Sequence, residues 1–490
     1  MRQDTTSALA GLASFAKLQD LLAARSHGSG AEGQMTFEAF EVALGHAVRS
    51  LENELKAADL ARYDVDANAV MVDGQEWRKC LEQQPKPSLS ASGPITVARH
   101  LYRPVEGGKC LCPLELRAGI IGGLDTPVLA RQVTYLYLMG HRTSDEPSTV
   151  FTERGISGPS SSSCDRLPKL LSAVWESHRE PWESALRPQE VVAAEAAVVA
   201  VSLDGVMVPD KDAQRFAKAT REAAKKQGLS KQSSGPAGYR EVGCGTVTLL
   251  DADATQLDTV RYGRAPEYKK QTLTTQLDAE LASILAVRPD LEVVALADGA
   301  EENWRYFERP VYDQATKIVD DGHASQHLRA AMVAYYGEQS VVGRAEYERL
   351  RILLRDQPGG ADDVIAALAR LARKRRGKTH KRRRKLLTAE LTYVTNQRER
   401  LDYAEYQARG LPIGSGIVEA ACKTLATQRL KRSGMSWRDG KQAILTVRSL
   451  QQSNRWAAAW VLLSAHFRVG VTEVRQHGHL RELVLAKQAA

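Results

Sequence analysis

A chain of 490 residues has room for about two to four domains and a large core. Its formal charge of +8 and pI near 9.1 are a modest basic surplus, whose distribution along the chain matters more than its size. No run approaches the ~18 consecutive apolar residues that a membrane span needs, and the six cysteines (80, 110, 112, 164, 244 and 422) are too scattered for a disulfide framework. The segment Met1–Ala8 has an early acid and no signal-peptide core, so a cytoplasmic protein is expected.

Residues 1–87 read as helical, with Leu18, Leu21, Leu22, Phe40, Val48, Leu51 and Leu55 at helical spacing. A cysteine-containing, ribbon-like segment is expected over 88–126, where Ile95–Arg103 is β-like and runs into Gly107–Leu114. Cys110 and Cys112 lie one residue apart there, too few ligands for a four-coordinate zinc site. Residues 127–195 read as helical with a Gly-Pro-Ser break at 155–164. Its second helix, from Ser161 through Leu170 and Leu171 to Trp175, fits a helix-turn-helix or a plain helical pair.

From 196 to 335 the pattern changes. Apolar runs predict strands at 198–208, 240–251, 257–264, 292–297 and 316–320, with a helix near 269–287. Strands in succession followed by alternating helix and strand imply a mixed α/β sheet. Residues 336–405 read as a helical, basic insertion, 406–465 as helical again, and 466–490 as a polar tail. Trp437, Trp456, Trp460, Val461, Leu462 and Leu463 are expected in the core.

Three acids stand out. Asp204 lies within the apolar run Val198–Val208, Asp298 ends the run Val293–Ala297, and Glu419 follows Pro412-Ile-Gly-Ser-Gly-Ile-Val. A carboxylate beside a buried strand is costly unless it binds something. Three of them converging would make an oxygen cage for Mg²⁺, with Mn²⁺ as a substitute, and Asp204 is the expected bridging ligand. Taken singly, each has a plainer explanation: Asp-Gly also signals a turn, and Glu419 also suits the first turn of a helix. His323, alone beside a strand end, reads as structural.

The bases cluster. Arg373–Lys385 holds ten Lys and Arg residues and no acid, Arg375, Arg376, Arg382 and Arg383 among them. Lys423, Arg429, Lys431 and Arg432 follow Glu419. Such runs displace counterions from nucleic acid, so these eight residues are expected to contact a DNA backbone.

The order Asp, Asp, Glu with these flanks resembles the insertion-sequence DDE transposases, and above all their ISKra-type group. The matching pieces are Leu203–Val208, Ala297–Ala300 with Trp304, Asp320-Asp-Gly-His-Ala-Ser-Gln-His-Leu328, and Pro412–Lys423 continuing into Arg429–Trp437. The resemblance covers roughly residues 95–465. It implies a multidomain α and α/β protein with an RNase H-like core split at 196–335 and 406–465, and Asp204, Asp298 and Glu419 as catalytic metal ligands. It further implies cleavage of transposon ends and joining of 3′-hydroxyl ends to target DNA, by a nucleoid-associated homo-oligomer. Two other readings compete: a DNA-binding protein that recognises terminal repeats without cutting, and an α/β hydrolase using Asp204 and Asp298 as an acid/base pair. The basic runs have no use in the last.

Overall fold

The computed structural model describes residues 11–27, 35–139, 145–189, 191–211, 238–374, 381–433, 435–474 and 480–482. Two compact units divide the chain, one of Met1–Ser177 with Ala457–Ala490, the other His178–Trp456. No helix among the described residues is long and apolar enough to cross a membrane.

The first unit opens with helices α1 (Ala13–His27) and α2 (Phe37–Ala61). Thr36 caps α2, its hydroxyl accepting from the Ala39 N–H at 3.2 Å. The helical expectation for residues 1–87 fails from Ala69 onward. Strand β1 (Ala69–Val72) leads into a long hairpin of β2 (Gln75–Ser90) and β3 (Gly93–Pro104). The expected tail also fails in part, because β9 (Thr472–Val474) pairs antiparallel with β1 and carries β10 (Leu480–Glu482) on its outer side. A short helix α3 (Pro113–Ala118) follows the hairpin. Helices α4 (Pro127–Met139), α5 (Asp145–Glu153) and α6 (Ser161–Ser177) come next, and α6 begins where the second helix of the pair is expected. The hairpin brings the exposed Cys80 to within 3.5 Å of Cys110, while Cys112 is buried.

The second unit begins with α7 (Arg179–Leu186) and is built on five strands: β4 (Val198–Pro209), β5 (Tyr239–Leu250), β6 (Gln256–Arg264), β7 (Glu292–Ala297) and β8 (Thr316–Val319). Their order is β6-β5-β4-β7-β8. The first three in sequence pair antiparallel, and β7 and β8 add in parallel to β4. Helix α8 (Gln271–Val287) makes the crossover to β7, burying Leu273, Leu277, Leu281 and Ile284. The near-continuous apolar runs of β4, β5 and β7 arise because strands covered on both faces have no polar side to offer.

Beyond β7 come α9 (Glu301–Tyr306), α10 (Asp321–Tyr336), α11 (Val341–Asp356), α12 (Gly360–Lys374), α13 (Lys381–Asn396) and α14 (Tyr403–Ala408). The described residues between 336 and 405 are thus mostly helical, as expected. The chain then returns as α15 (Gly416–Ala421), a π turn (Cys422–Thr427), and α16 (Lys441–Gln452). Trp456, the last residue of this unit, is buried as expected and opens helix α17 (Trp456–His466), the rest of which belongs to the first unit; there Trp460 is buried as expected, but Val461 is exposed.

A buried ionic cluster locks the second unit. Glu280 on α8 accepts from Arg455 Nη2 at 2.7 Å and from the Tyr262 hydroxyl at 2.6 Å, with Arg187 Nε 3.4 Å away. Glu183 accepts from Gln276 Nε2 at 2.6 Å and pairs with Arg187. Glu280→Ala leaves two cations facing a buried gap, so a loss of about 3–5 kcal/mol is expected in chemical denaturation.

Candidate functional site

The register of the sheet builds the site. Leu203 pairs with Ala297, and Ala297 with Val319, as the last rungs between β4, β7 and β8. The next residue on each of the three strands is an aspartate: Asp204, Asp298 and Asp320. Neighbouring strands lie about 4.8 Å apart, so Asp298 and Asp320 follow the carboxyl ends of β7 and β8, and Asp204 stands at the same level within β4, where its parallel pairing with β7 ends. Ligands of α/β sheets bind at that edge.

Each acid is oriented. Asp204 Oδ1 accepts from the Gly205 N–H at 2.6 Å, and its Oδ2 from the Cys422 thiol at 3.4 Å. The neighbouring Cys244 thiol and burial push the Cys422 thiol far up, so it stays protonated and donates. Asp298 Oδ1 accepts from the Ala300 N–H at 3.0 Å and Asn303 Nδ2 at 2.8 Å. Asn303 also reaches the Leu203 carbonyl at 3.5 Å, tying the ends of β4 and β7 together.

Asp320 caps α10, its Oδ1 accepting from the His323 N–H at 2.6 Å, and its Oδ2 accepts from the Ser415 N–H at the start of α15. Burial pushes its carboxyl up, but the hydrogen bonds from His323 and Ser415 outweigh it and hold the group at about 2. The Asp320 side chain, opposed by burial, raises the pKa of His323, and Asp298 and Asp204 add to the rise.

Glu419 lies in the first turn of α15, as expected, and accepts from the Ser415 hydroxyl at 3.3 Å. Ligand atoms of Asp320, His323 and Glu419 lie within 4.8 Å of one another, forming the one group of three or more metal-ligating residues among the described residues. Cys422, one turn after Glu419, fastens the same segment to Asp204. Of the three expected acids, Glu419 belongs to that group, together with Asp320 and His323, which the sequence did not single out as ligands; Asp204 and Asp298 stand outside it but near enough for their charges to act on the His323 ring. The His323 ring lies 3.7 Å from an Asp320 carboxylate oxygen and within ligand distance of Glu419, with the charges of Asp298 and Asp204 acting on it as well. Glu419 is exposed, Asp204 and Asp298 are half-buried, and Asp320 is buried. Oxygen donors in this number suit a hard divalent cation, and the imidazole makes Mn²⁺ as apt as Mg²⁺. The π turn that follows Glu419 is a rare element, frequent at functional sites.

Gly299, next to Asp298, is required by close approach: a Cβ there would lie 2.4 Å from the Tyr393 hydroxyl. Tyr393 on α13 stacks on His327 at 3.5 Å between ring centroids, and His327 Nδ1 lies 2.6 Å from Glu390 Oε2. Burial, then the carboxylates of Asp298 and Asp320, push the Tyr393 hydroxyl up.

The expected DNA contacts divide. Lys423, Lys431, Arg382 and Arg383 are exposed and Arg432 is half-buried. Arg375 and Arg376 lie outside the described residues. Arg429 is a correction: it is buried, with its guanidinium 5.4 Å from the centre of the Trp437 ring. Helical spacing from Leu425 turns it inward, where it packs rather than meets a backbone phosphate. Arg382 and Arg383 open α13, the helix that also carries Glu390 and Tyr393. At 1.5 Å per residue, Arg383 lies about 15 Å along that helix from Tyr393.

Neither a protein-family model nor a curated protein matches this chain.

Proposed function

We propose that the protein is a metal-dependent DNA transposase, cleaving element ends and joining the freed 3′-hydroxyls to target DNA. The observation that carries this reading is the row of Asp204, Asp298 and Asp320 at one level of the sheet, with Glu419 brought in by α15. The strand order β6-β5-β4-β7-β8, with its antiparallel triplet and two added parallel strands, supports an RNase H-like core.

Asp204, Asp298 and Glu419 would hold the cation, with Asp320 and His323 completing the set. Bound there, Mg²⁺ would activate a water or a 3′-hydroxyl and stabilise the leaving oxygen. Cys422 and Asn303 fix the Asp204 and Asp298 carboxylates in place before substrate arrives. Ser415 orients Glu419 and anchors its segment to Asp320. Lys423, Lys431, Arg382 and Arg383 neutralise phosphates flanking the cut. No covalent protein–DNA intermediate is needed, so no serine or tyrosine nucleophile is required.

The test is incubation of duplex DNA carrying the flanking terminal repeats with the protein and Mg²⁺ or Mn²⁺. Nicks at the repeat ends leaving 3′-hydroxyls, followed by joining to a target plasmid, are expected. Binding of the ends with no cut under either ion would favour the non-catalytic DNA-binding reading. Arg382→Ala and Arg383→Ala should each weaken binding alike across DNA sequences and lower the slope of log K against log salt by about 1. Titrations at several salt concentrations check this.

A further inference from the structure

We propose that Tyr393 is a further catalytic residue, donating its hydroxyl proton in a hydrogen bond to a non-bridging oxygen of the scissile phosphate. The inference rests on the transposase reading and extends it to a residue on the helical insertion. The Tyr393 hydroxyl is buried and has no hydrogen-bond partner. Buried hydroxyls are paired as a rule, so this one has its proton free for an acceptor brought to it.

Its surroundings say where that acceptor lies. The ring edge and hydroxyl press on Gly299, where an added Cβ would sit 2.1 Å from Cε2 and 2.4 Å from the oxygen. Gly299 directly follows Asp298, whose Oδ1 already accepts from Ala300 and Asn303. The ring has little freedom. It is stacked on His327, which Glu390 holds through a 2.6 Å contact. A rigid donor beside the strand-end acids is the arrangement that stabilises charge developing on a phosphate. The same helix opens with Arg382 and Arg383, so one element presents phosphate contacts at its start and this donor near its end.

The test compares Tyr393→Phe and Gly299→Ala with wild type for single-turnover cleavage, duplex affinity and thermal melting. Tyr393→Phe keeps the stack and removes only the orphan hydroxyl. Cleavage is expected to fall about 10²-fold with affinity within about threefold and a melting temperature equal to or above wild type. Gly299→Ala crowds the ring edge and hydroxyl and should lower cleavage as well. A structural role would instead lower the melting temperature of Tyr393→Phe and spare its rate. Cleavage by Tyr393→Phe at the wild-type rate overturns the inference and leaves the transposase reading standing. Wild type that fails to cut with Mg²⁺ or Mn²⁺ overturns both.

Discussion

Asp298→Asn is expected to lower metal-dependent cleavage by about 10³-fold or more while leaving duplex binding in place. The amide keeps the shape of the carboxylate, and its oxygen still accepts from the Ala300 N–H and Asn303 Nδ2. Fold and local geometry are therefore retained and only the charge is lost. Asp204→Asn and Glu419→Gln should behave alike, since each removes one carboxylate charge from a half-buried or exposed position. Gel assays of end cleavage beside filter binding of the same duplex separate the two effects. A variant that cuts normally would show that its acid is not a ligand.

Asp320→Ala should injure both fold and activity. The side chain caps α10 through the His323 N–H and takes the Ser415 N–H at the start of α15, so one carboxylate fastens two helix starts. Its pKa near 2 lies below the ordinary aspartate value of 3.8. A depressed folded-state pKa means stability that is present above about pH 4 and lost as the pH falls toward 2. The shift corresponds to about 2.5 kcal/mol, which chemical denaturation of Asp320→Ala at pH 7 should show as a loss. Denaturation of wild type from pH 6 down to pH 2 should lose stability over that window, and the variant should show a shallower slope. Cleavage should fall as well, because Ser415 would no longer seat Glu419.

The core of the second unit was legible because its strands are buried on both faces. The runs at 198–208, 292–297 and 316–320 need no alternation to be recognised, and the helix near 269–287 is amphipathic. β2 was not legible. Its sequence Gln75-Glu-Trp-Arg-Lys-Cys-Leu-Glu-Gln-Gln is rich in charged and amide side chains, most of them exposed, and its strand form comes from pairing with β3. β9 has three residues and exists through pairing with β1, some four hundred positions earlier, a contact that no local pattern encodes.

Within the site, Asp320 carried the same signal as its neighbours: Thr316-Lys-Ile-Val is an apolar-ended run closed by an acid. Its place beside Asp298 depends on β8 adding in parallel to β7, which sequence pattern alone leaves open. The pairing of Cys422 with Asp204 joins residues in separate segments through the fold. Arg429 misled because a basic run reads as surface, whereas one of its members turns inward against Trp437.

Iron-directed hydroxyl-radical cutting locates the cation on the chain itself. Fe²⁺ replaces Mg²⁺ at oxygen-rich sites, and with ascorbate and peroxide it cuts the backbone within a few ångströms of where it is held. Cuts confined to the segments around Asp204, Asp298, Asp320–His323 and Glu419, suppressed by excess Mg²⁺ and absent in Asp298→Asn, are the expected result. Cuts elsewhere, for instance beside Cys80 and Cys110, or a pattern unchanged by Asp298→Asn, would contradict a cation site at the strand ends.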